Sequence, residues 1–199
     1  MMNEPIIESR NIEEGGFVAS KRSFLKAAAS VPLLTLSGIG VLNAATGYTP
    51  SHKTLALNNI HTGDNLRLTY FEQGDYIEGA LQEISYLMRD YHTGDMHPID
   101  PALLDLLYDL KLELGIDRSF LVSSGYRSPH TNAKLRKRNR NVSPHSLHMQ
   151  GRAIDLHVDG LETCKIRNAA LAMRRGGVGY SRRFNFVHLD TGCFRAWLA

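Results

Sequence analysis

Cysteine is scarce, with two in 199 residues. Two thiols close at most one bridge, which excludes the dense disulfide scaffold of a small secreted module. Cys164 and Cys193 also lack the Cys-x-x-Cys spacing of a redox centre. Excess charge of one sign is missing too. Twenty-three Lys and Arg against 20 Asp and Glu leave +3, too near balance for a nucleic-acid partner to be read from composition. There is no internal repeat or low-complexity segment. A long, strongly apolar run is absent as well: the stretch from Ala27 to Leu42 is broken by Pro32, Gly38 and Gly40, and a lasting membrane span needs roughly 20 strongly apolar residues. What remains is ordinary globular composition, 43% apolar and 22% charged, in a length that suits one domain.

The first 20 residues are polar, with four acids against one base, and Ser20-Lys21-Arg22-Ser23-Phe24-Leu25-Lys26 then opens an uncharged stretch that ends in small residues at Ala44 and Ala45. This is the shape of a signal peptide, with a cleavage site at the small residues. The basic heptad resembles the twin-arginine export motif, with Lys21 standing where the first arginine is usual, so the Sec route stays open. Residues 1–45 are thus expected to be a signal peptide, 46–53 a linker and 54–199 the working domain. An uncleaved anchor or a buried apolar helix is the alternative. Cleavage would remove four bases and four acids, leaving 154 residues still at +3. Such a domain buries enough surface to fold without a staple. Export implies a bacterial chain, a periplasmic location and no stable membrane span after cleavage.

Thr54–Asn58 and Asn65–Tyr70 flank His61-Thr62-Gly63-Asp64 and predict a hairpin. From Asp75, Ile77, Leu81, Ile84 and Met88 form a helical stripe. Asp100-Pro101 supplies an N-cap and a first-turn proline, Leu103, Leu106, Leu107 and Leu110 a buried face, and Gly115 a stop. Phe120–Val122 reads as a strand running into a loop at Ser123–Pro129, followed by a basic helix from about Thr131 to Arg138. That helix face can track an anionic wall polymer or be plain solvated surface. Ala153–Val158 alternates as a strand, Leu161–Arg175 reads as a helix closed by Gly176-Gly177, and Phe186–Asp190 and Phe194–Leu198 read as strands. The order predicts an α+β fold whose late strands form an antiparallel sheet.

Ligand-type residues concentrate in Ser146-Leu147-His148-Met149-Gln150-Gly151-Arg152-Ala153-Ile154-Asp155-Leu156-His157 and in Phe186-Val187-His188-Leu189-Asp190. Imidazole and carboxylate are the usual donors of a catalytic zinc, which takes three protein ligands and leaves a place for water. His148, Asp155 and His188 would supply that set, with Gly151 easing the turn between the first two. Of the other histidines, His52, His61, His92, His97 and His130 read as ordinary surface or core residues. Spacing alone leaves a metal site and a set of plain polar residues both open.

Ser-x-His-x-x-Gly-x-Ala-x-Asp, a late Val-His-x-Asp strand and an earlier Ser-Gly-Tyr-Arg-Ser together resemble the zinc D-Ala-D-Ala metallopeptidase group. Its relatives include lysostaphin-type endopeptidases and the hedgehog N-terminal domain. The resemblance runs from about Leu55 to Trp197. Leu-x-Asn-x-His-Thr-Gly-Asp at 57–64 and Gly-Val-Gly-Tyr at 177–180 look most like its exported murein endopeptidase branch. The resemblance implies a small antiparallel sheet carrying Zn2+ and packed by helices, with the metal on His148, Asp155 and His188. Arg127 falls on the substrate-contacting arginine, with Ser146 and Tyr126 of the same motifs expected beside it.

Some carboxypeptidase relatives carry an acidic base three residues before the last histidine, where this chain has Asn185. An amide cannot take a proton from water. Asp190, two after His188 and so on the same strand face, is the expected replacement, with a structural salt bridge as the alternative. His157, two after Asp155, is expected to orient a ligand or to stabilise the oxyanion. The function these residues imply is zinc-dependent hydrolysis of peptide cross-links in peptidoglycan, with its peptide stems as partner, whether at D,D or L,D bonds. The alternatives are a carboxypeptidase that releases a terminal D-amino acid and a non-catalytic, zinc-stabilised wall-binding module. Cys164 and Cys193 can pair in an oxidising compartment or stay free. Trp197 and Tyr180 can line a groove or pack a core.

Overall fold

The computed structural model describes residues 50–199; the expected signal peptide and the first part of the linker lie outside the described residues. Strands β1 (His52–Asn59), β2 (Asn65–Glu72) and β3 (Asp75–Tyr76) lead to helices α1 (Glu78–Leu87) and α2 (Pro101–Glu113). Strand β4 (Phe120–Ser124), helix α3 (Pro129–Arg138) and a short 3-10 turn (Leu147–Gln150) come next. The chain ends with β5 (Ala153–Val158), α4 (Thr163–Met173), β6 (Gly177–Ser181), β7 (Phe186–Asp190) and β8 (Arg195–Leu198). Among the described residues no helix is long and apolar enough to cross a membrane.

The fold is α+β as expected, but the sheet is neither small nor wholly antiparallel. All eight strands join one sheet in the order β3-β2-β1-β4-β5-β7-β6-β8, with β1 parallel to β4 and β6 parallel to β8. The expected late sheet grew for two reasons. The β1–β2 hairpin docks on β4 at Leu57↔Phe120, and the Gly-Val-Gly-Tyr stretch, not foreseen as a strand, forms β6 between β7 and β8. Glycine hides the period-2 signal there, because two of the alternate positions carry no side chain to read.

Most elements follow from local chemistry. Asp100 caps α2 by accepting from the Ala102 N–H at 2.9 Å, with Pro101 in the first turn. Ser128 caps α3 in the same way through the Thr131 N–H at 3.2 Å. The stripe expected from Asp75 enters its helix only at Glu78. Gln73 and Gly74 take positive φ of 52° and 101°, and that turn lets Asp75 and Tyr76 pair back onto β2. Strand β1 starts at His52, inside the expected linker, where the Lys53 ammonium meets Asp105 at 2.7 Å.

The alternation of β5 and β7 positions the site. Ile154, Leu156, Val187 and Leu189 are fully buried in the core with Leu55, Leu57, Leu103, Leu107 and Phe120. Burying each such side chain contributes about 1.5–3 kcal/mol. The residues between them, Asp155, His157, His188 and Asp190, must then project from the opposite face, and all four line a cleft there of about 810 Å3.

Candidate metal centre and active-site cleft

His148 sits in the 3-10 turn, whose end at Gly151 has a positive φ of 65°. A side chain at Gly151 would also collide with the Pro98 carbonyl, so glycine is required twice over. The His148 backbone carbonyl accepts from the Arg127 N–H at 3.1 Å, which ties the Ser-Gly-Tyr-Arg-Ser loop to the turn. That loop is anchored in its own right: Asp90, buried, accepts from the Ser128 N–H at 2.9 Å and the Ser128 hydroxyl at 2.7 Å. Burial alone would raise the Asp90 carboxyl, but the hydroxyls of Thr131 and Ser128 and the N–H groups of Ser128 and His92 outweigh it and lower its pKa to about 2.

The donor atoms of His148, Asp155 and His188 lie within 4.8 Å of one another. His148 Nδ1 lies 2.7 Å from the Gly125 carbonyl, and a carbonyl only accepts, so Nδ1 carries the proton and Nε2 presents its lone pair. His188 Nε2 lies 3.0 Å from Asp190 Oδ2. In the neutral ring this places the proton on Nε2 and the lone pair on Nδ1. Those two inner nitrogens are 3.1 Å apart, and Asp155 Oδ1 lies 2.8 Å from His188 Nδ1 and 3.4 Å from His148 Nε2. Two lone pairs and a carboxylate oxygen thus converge, an arrangement that calls for a cation. Two histidine nitrogens and a carboxylate oxygen are the donor types that zinc takes, and these three lie close enough together for one ion.

The titration behaviour follows from the same contacts. Burial lowers the His148 pKa, ahead of the opposing pull of Asp155. Burial alone would raise Asp155, but His148 and His188 hold it well below the usual carboxylate range. For His188 burial is outweighed by hydrogen bonds to Asp155 and Asp190, and its pKa rises to about 9.

The structure brings the expected substrate residues to the same cleft. Arg127, Tyr126, Ser146 and His157 all line it. One Arg127 nitrogen donates to Ser124 Oγ at 3.2 Å and approaches Asp155 Oδ2 at 3.5 Å. Tyr126 stacks on His97, with ring centroids 5.0 Å apart.

Asp190 is in the cleft wall, on the outer side of His188. Its side chain is fully buried, and it faces Nε2 of His188, away from the inner nitrogen. Its oxygens already accept from Arg195 at 2.6 and 3.1 Å, from the Gly177 N–H at 3.0 Å and from the Gly192 N–H at 2.8 Å. As the strand period predicts, Asp190 shares the face of His188, but it meets the outer edge of the ring, because sharing a face does not decide which edge a neighbour meets. Asn185 is outside the site altogether. It takes a positive φ of 52° in the β6–β7 turn, a conformation asparagine tolerates better than most residues, and its side-chain oxygen accepts from Thr163 Oγ1 at 3.1 Å. Both cysteines are free.

Sequence reasoning missed Arg195 as a site residue. The available signal was the Gly-x-Gly of β6, which marks close approach of neighbouring side chains.

The family model described as peptidoglycan L,D-endopeptidase MepK matches residues 47–197. The chain belongs to this peptidase family. It is 43% identical over 172 residues, covering 83% of this chain and 94% of the relative, to the peptidoglycan L,D-endopeptidase MepK of Escherichia coli strain K12. The MepK of Shigella flexneri matches with the same figures. The probable peptidoglycan L,D-endopeptidase MepK of Haemophilus influenzae is 37% identical over 150 residues, 75% of this chain and 81% of that protein. No solved structure matches. The chain is thus a metallopeptidase by family, with a His/Asp set able to hold a metal ion.

Proposed function

We propose that this protein is a zinc-dependent peptidoglycan L,D-endopeptidase of the periplasm, exported through residues 1–45. One observation carries the reading: two imidazole lone pairs and a carboxylate converge on a cleft wall in a chain 43% identical over most of its length to L,D-endopeptidases. His148 Nε2, Asp155 Oδ1 and His188 Nδ1 would hold the zinc. When bound, zinc supplies a Lewis acid for the scissile carbonyl and lowers the pKa of water from 15.7 to about 7.

The chain's own groups do the rest. Arg127, whose guanidinium lines the cleft beside Asp155, donates to the oxygen of the scissile carbonyl as negative charge develops there. Stem peptides carry free carboxylates, and the same fork of donors suits them. Asp190 fixes the proton of His188 on Nε2. His157, the imidazole that β5 itself carries into the cleft, would take the proton of the attacking water. Asp190 has its lone pairs engaged, and the Asn185 side chain is turned to Thr163. With Asn185 outside the cleft, its amide no longer favours a non-catalytic module.

Digestion of purified sacculi, with mass analysis of the released muropeptides, tests this. Cleavage at L,D cross-links that stops with a chelator and returns with zinc is the expected result. Release of free terminal amino acids alone would make the protein a carboxypeptidase, and intact sacculi at full zinc occupancy would make it a binding module.

A further inference from the structure

The last strand contributes no ligand and no cleft residue foreseen as catalytic, yet two of its side chains reach the metal-ligand strand. In the sheet, β6 lies between β7 and β8. The register aligns Asp190 with Gly177 and Gly177 with Arg195; two residues along, on the same face, it aligns His188 with Gly179 and Gly179 with Trp197. Both middle positions are glycine.

Neighbouring strands lie about 4.8 Å apart, so side chains on β7 and β8 are normally separated by those of the strand between. Here they meet over bare backbone. A Cβ at Gly177 would stand 2.5 Å from Asp190 Oδ2 and 2.6 Å from an Arg195 nitrogen; one at Gly179 would stand 2.8 Å from the Trp197 ring and 3.0 Å from His188 Cβ. The two glycines are the space through which the contacts are made.

The Arg195 guanidinium grips Asp190 with two nitrogens, at 2.6 and 3.1 Å, and Asp190 in turn accepts from His188 Nε2 at 3.0 Å. Trp197 stands 5.1 Å from the His188 ring centroid to centroid, tilted 56°, and Arg195 lies over the Trp197 ring at 5.0 Å. Both faces of the arrangement bear on one imidazole.

We infer that β8 is a brace for the metal ligand: Arg195, acting through Asp190, and Trp197, acting on the ring itself, hold His188 Nδ1 toward His148 and Asp155 and so set how firmly the metal is retained. Arg195 and Trp197 are positioning residues. The inference rests on the proposed zinc site. Its physical basis is that an outer carboxylate fixes a ligand histidine's tautomer and orientation, and that Asp190 keeps its aim only while the two-pronged contact with Arg195 stays in place. Loss of such an outer contact typically costs about 10–100-fold in metal affinity.

Zinc affinity of the purified protein, measured by competition with a chromophoric chelator and paired with the melting temperature of the metal-free form, tests the brace. Arg195→Ala should weaken zinc binding about 10–100-fold, Arg195→Lys less, and Trp197→Ala by a few-fold. In an Asp190→Asn background, Arg195→Ala should add almost nothing, since its effect runs through Asp190. A purely structural arginine would instead lower the metal-free melting temperature and leave the affinity of the folded fraction unchanged. Wild-type affinity in Arg195→Ala, or full additivity in the double variant, overturns the brace while leaving the zinc site standing. A wild-type protein that binds no zinc removes both. If Arg195→Ala fails to fold, Arg195→Gln carries the same comparison, and wild-type affinity there overturns the brace equally.

Discussion

Two carboxylates, Asp105 and Asp155, each gather three or more polar partners in this molecule, and only one of them belongs to a set able to hold a metal ion. Asp105 accepts from the Lys53 ammonium at 2.7 Å and from the Tyr70 and Tyr76 hydroxyls at 2.9 Å each. Every partner is a donor, so the cluster is complete in itself. Burial, with Asp105 beside them, raises both tyrosines, Tyr76 to about 12. Asp155 faces two imidazoles whose inner nitrogens are acceptors when the rings are neutral, because their outer nitrogens donate to Gly125 and Asp190. Arg127 meets only the other oxygen, Oδ2, at 3.5 Å, so on the Oδ1 side two neutral acceptors and a carboxylate oxygen leave a place for a cation. The difference lies in the balance of donors and acceptors, not in the number of contacts.

The sharpest way to break this comparison is to remove the acceptor side. Asp155→Ala should abolish both stoichiometric zinc and hydrolysis of cross-linked muropeptides, read by elemental analysis and product mass. A variant that keeps one zinc per chain would show that the two histidines suffice. His157→Ala should retain zinc and lose about 10²–10⁴ in turnover, the usual worth of a positioned base; near-normal turnover would move the base to another cleft residue, with His145 next. Arg127→Lys should lower kcat about 10²–10³ with zinc intact, since an ammonium replaces a fork of donors at the developing oxyanion. An unchanged kcat would place Arg127 in ground-state binding only.

The self-contained cluster should respond oppositely. Asp105→Ala strands the Lys53 ammonium and the Tyr70 hydroxyl, costing about 2–4 kcal/mol of stability by chemical denaturation, while zinc affinity stays at the wild-type value. A fall in affinity would mean that the two clusters are coupled through the sheet. The smallest effect concerns Asp90. Its folded pKa of about 2 is depressed from about 3.9, so its contribution is present above pH 4 and is lost as pH falls toward 2. The stability gap between wild type and Asp90→Asn should therefore close over that window, and a gap independent of pH would locate its origin elsewhere.

Much of the fold was legible in the chain because the signals are local. The cap at Asp100, the leucine face of α2 and the alternation of β5 each depend on residues within a few positions of one another. What escaped depends on partners remote in sequence. Strand β6 was hidden because its glycines have meaning only through Asp190, His188, Arg195 and Trp197 on either side. The ends of α1 and of the linker shifted because a two-residue turn and a Lys53–Asp105 contact competed with the helical stripe and the polar composition.

The sequence by itself determined the donor set: residue types, spacing and the period-2 alternation of β5 and β7 put Asp155 and His188 on one face and left apolar neighbours for the other. Only the tertiary structure decided what each polar residue does there. Asp190 shares that face with His188, but the ring edge it meets depends on where Arg195 arrives, 5 residues later and two strands away. Asn185 has the spacing of a base, but a left-handed turn and Thr163 carry its side chain off to α4. Periodicity fixes which side of a sheet a residue occupies; the direction of its lone pairs and protons is set by whatever the rest of the chain folds against it.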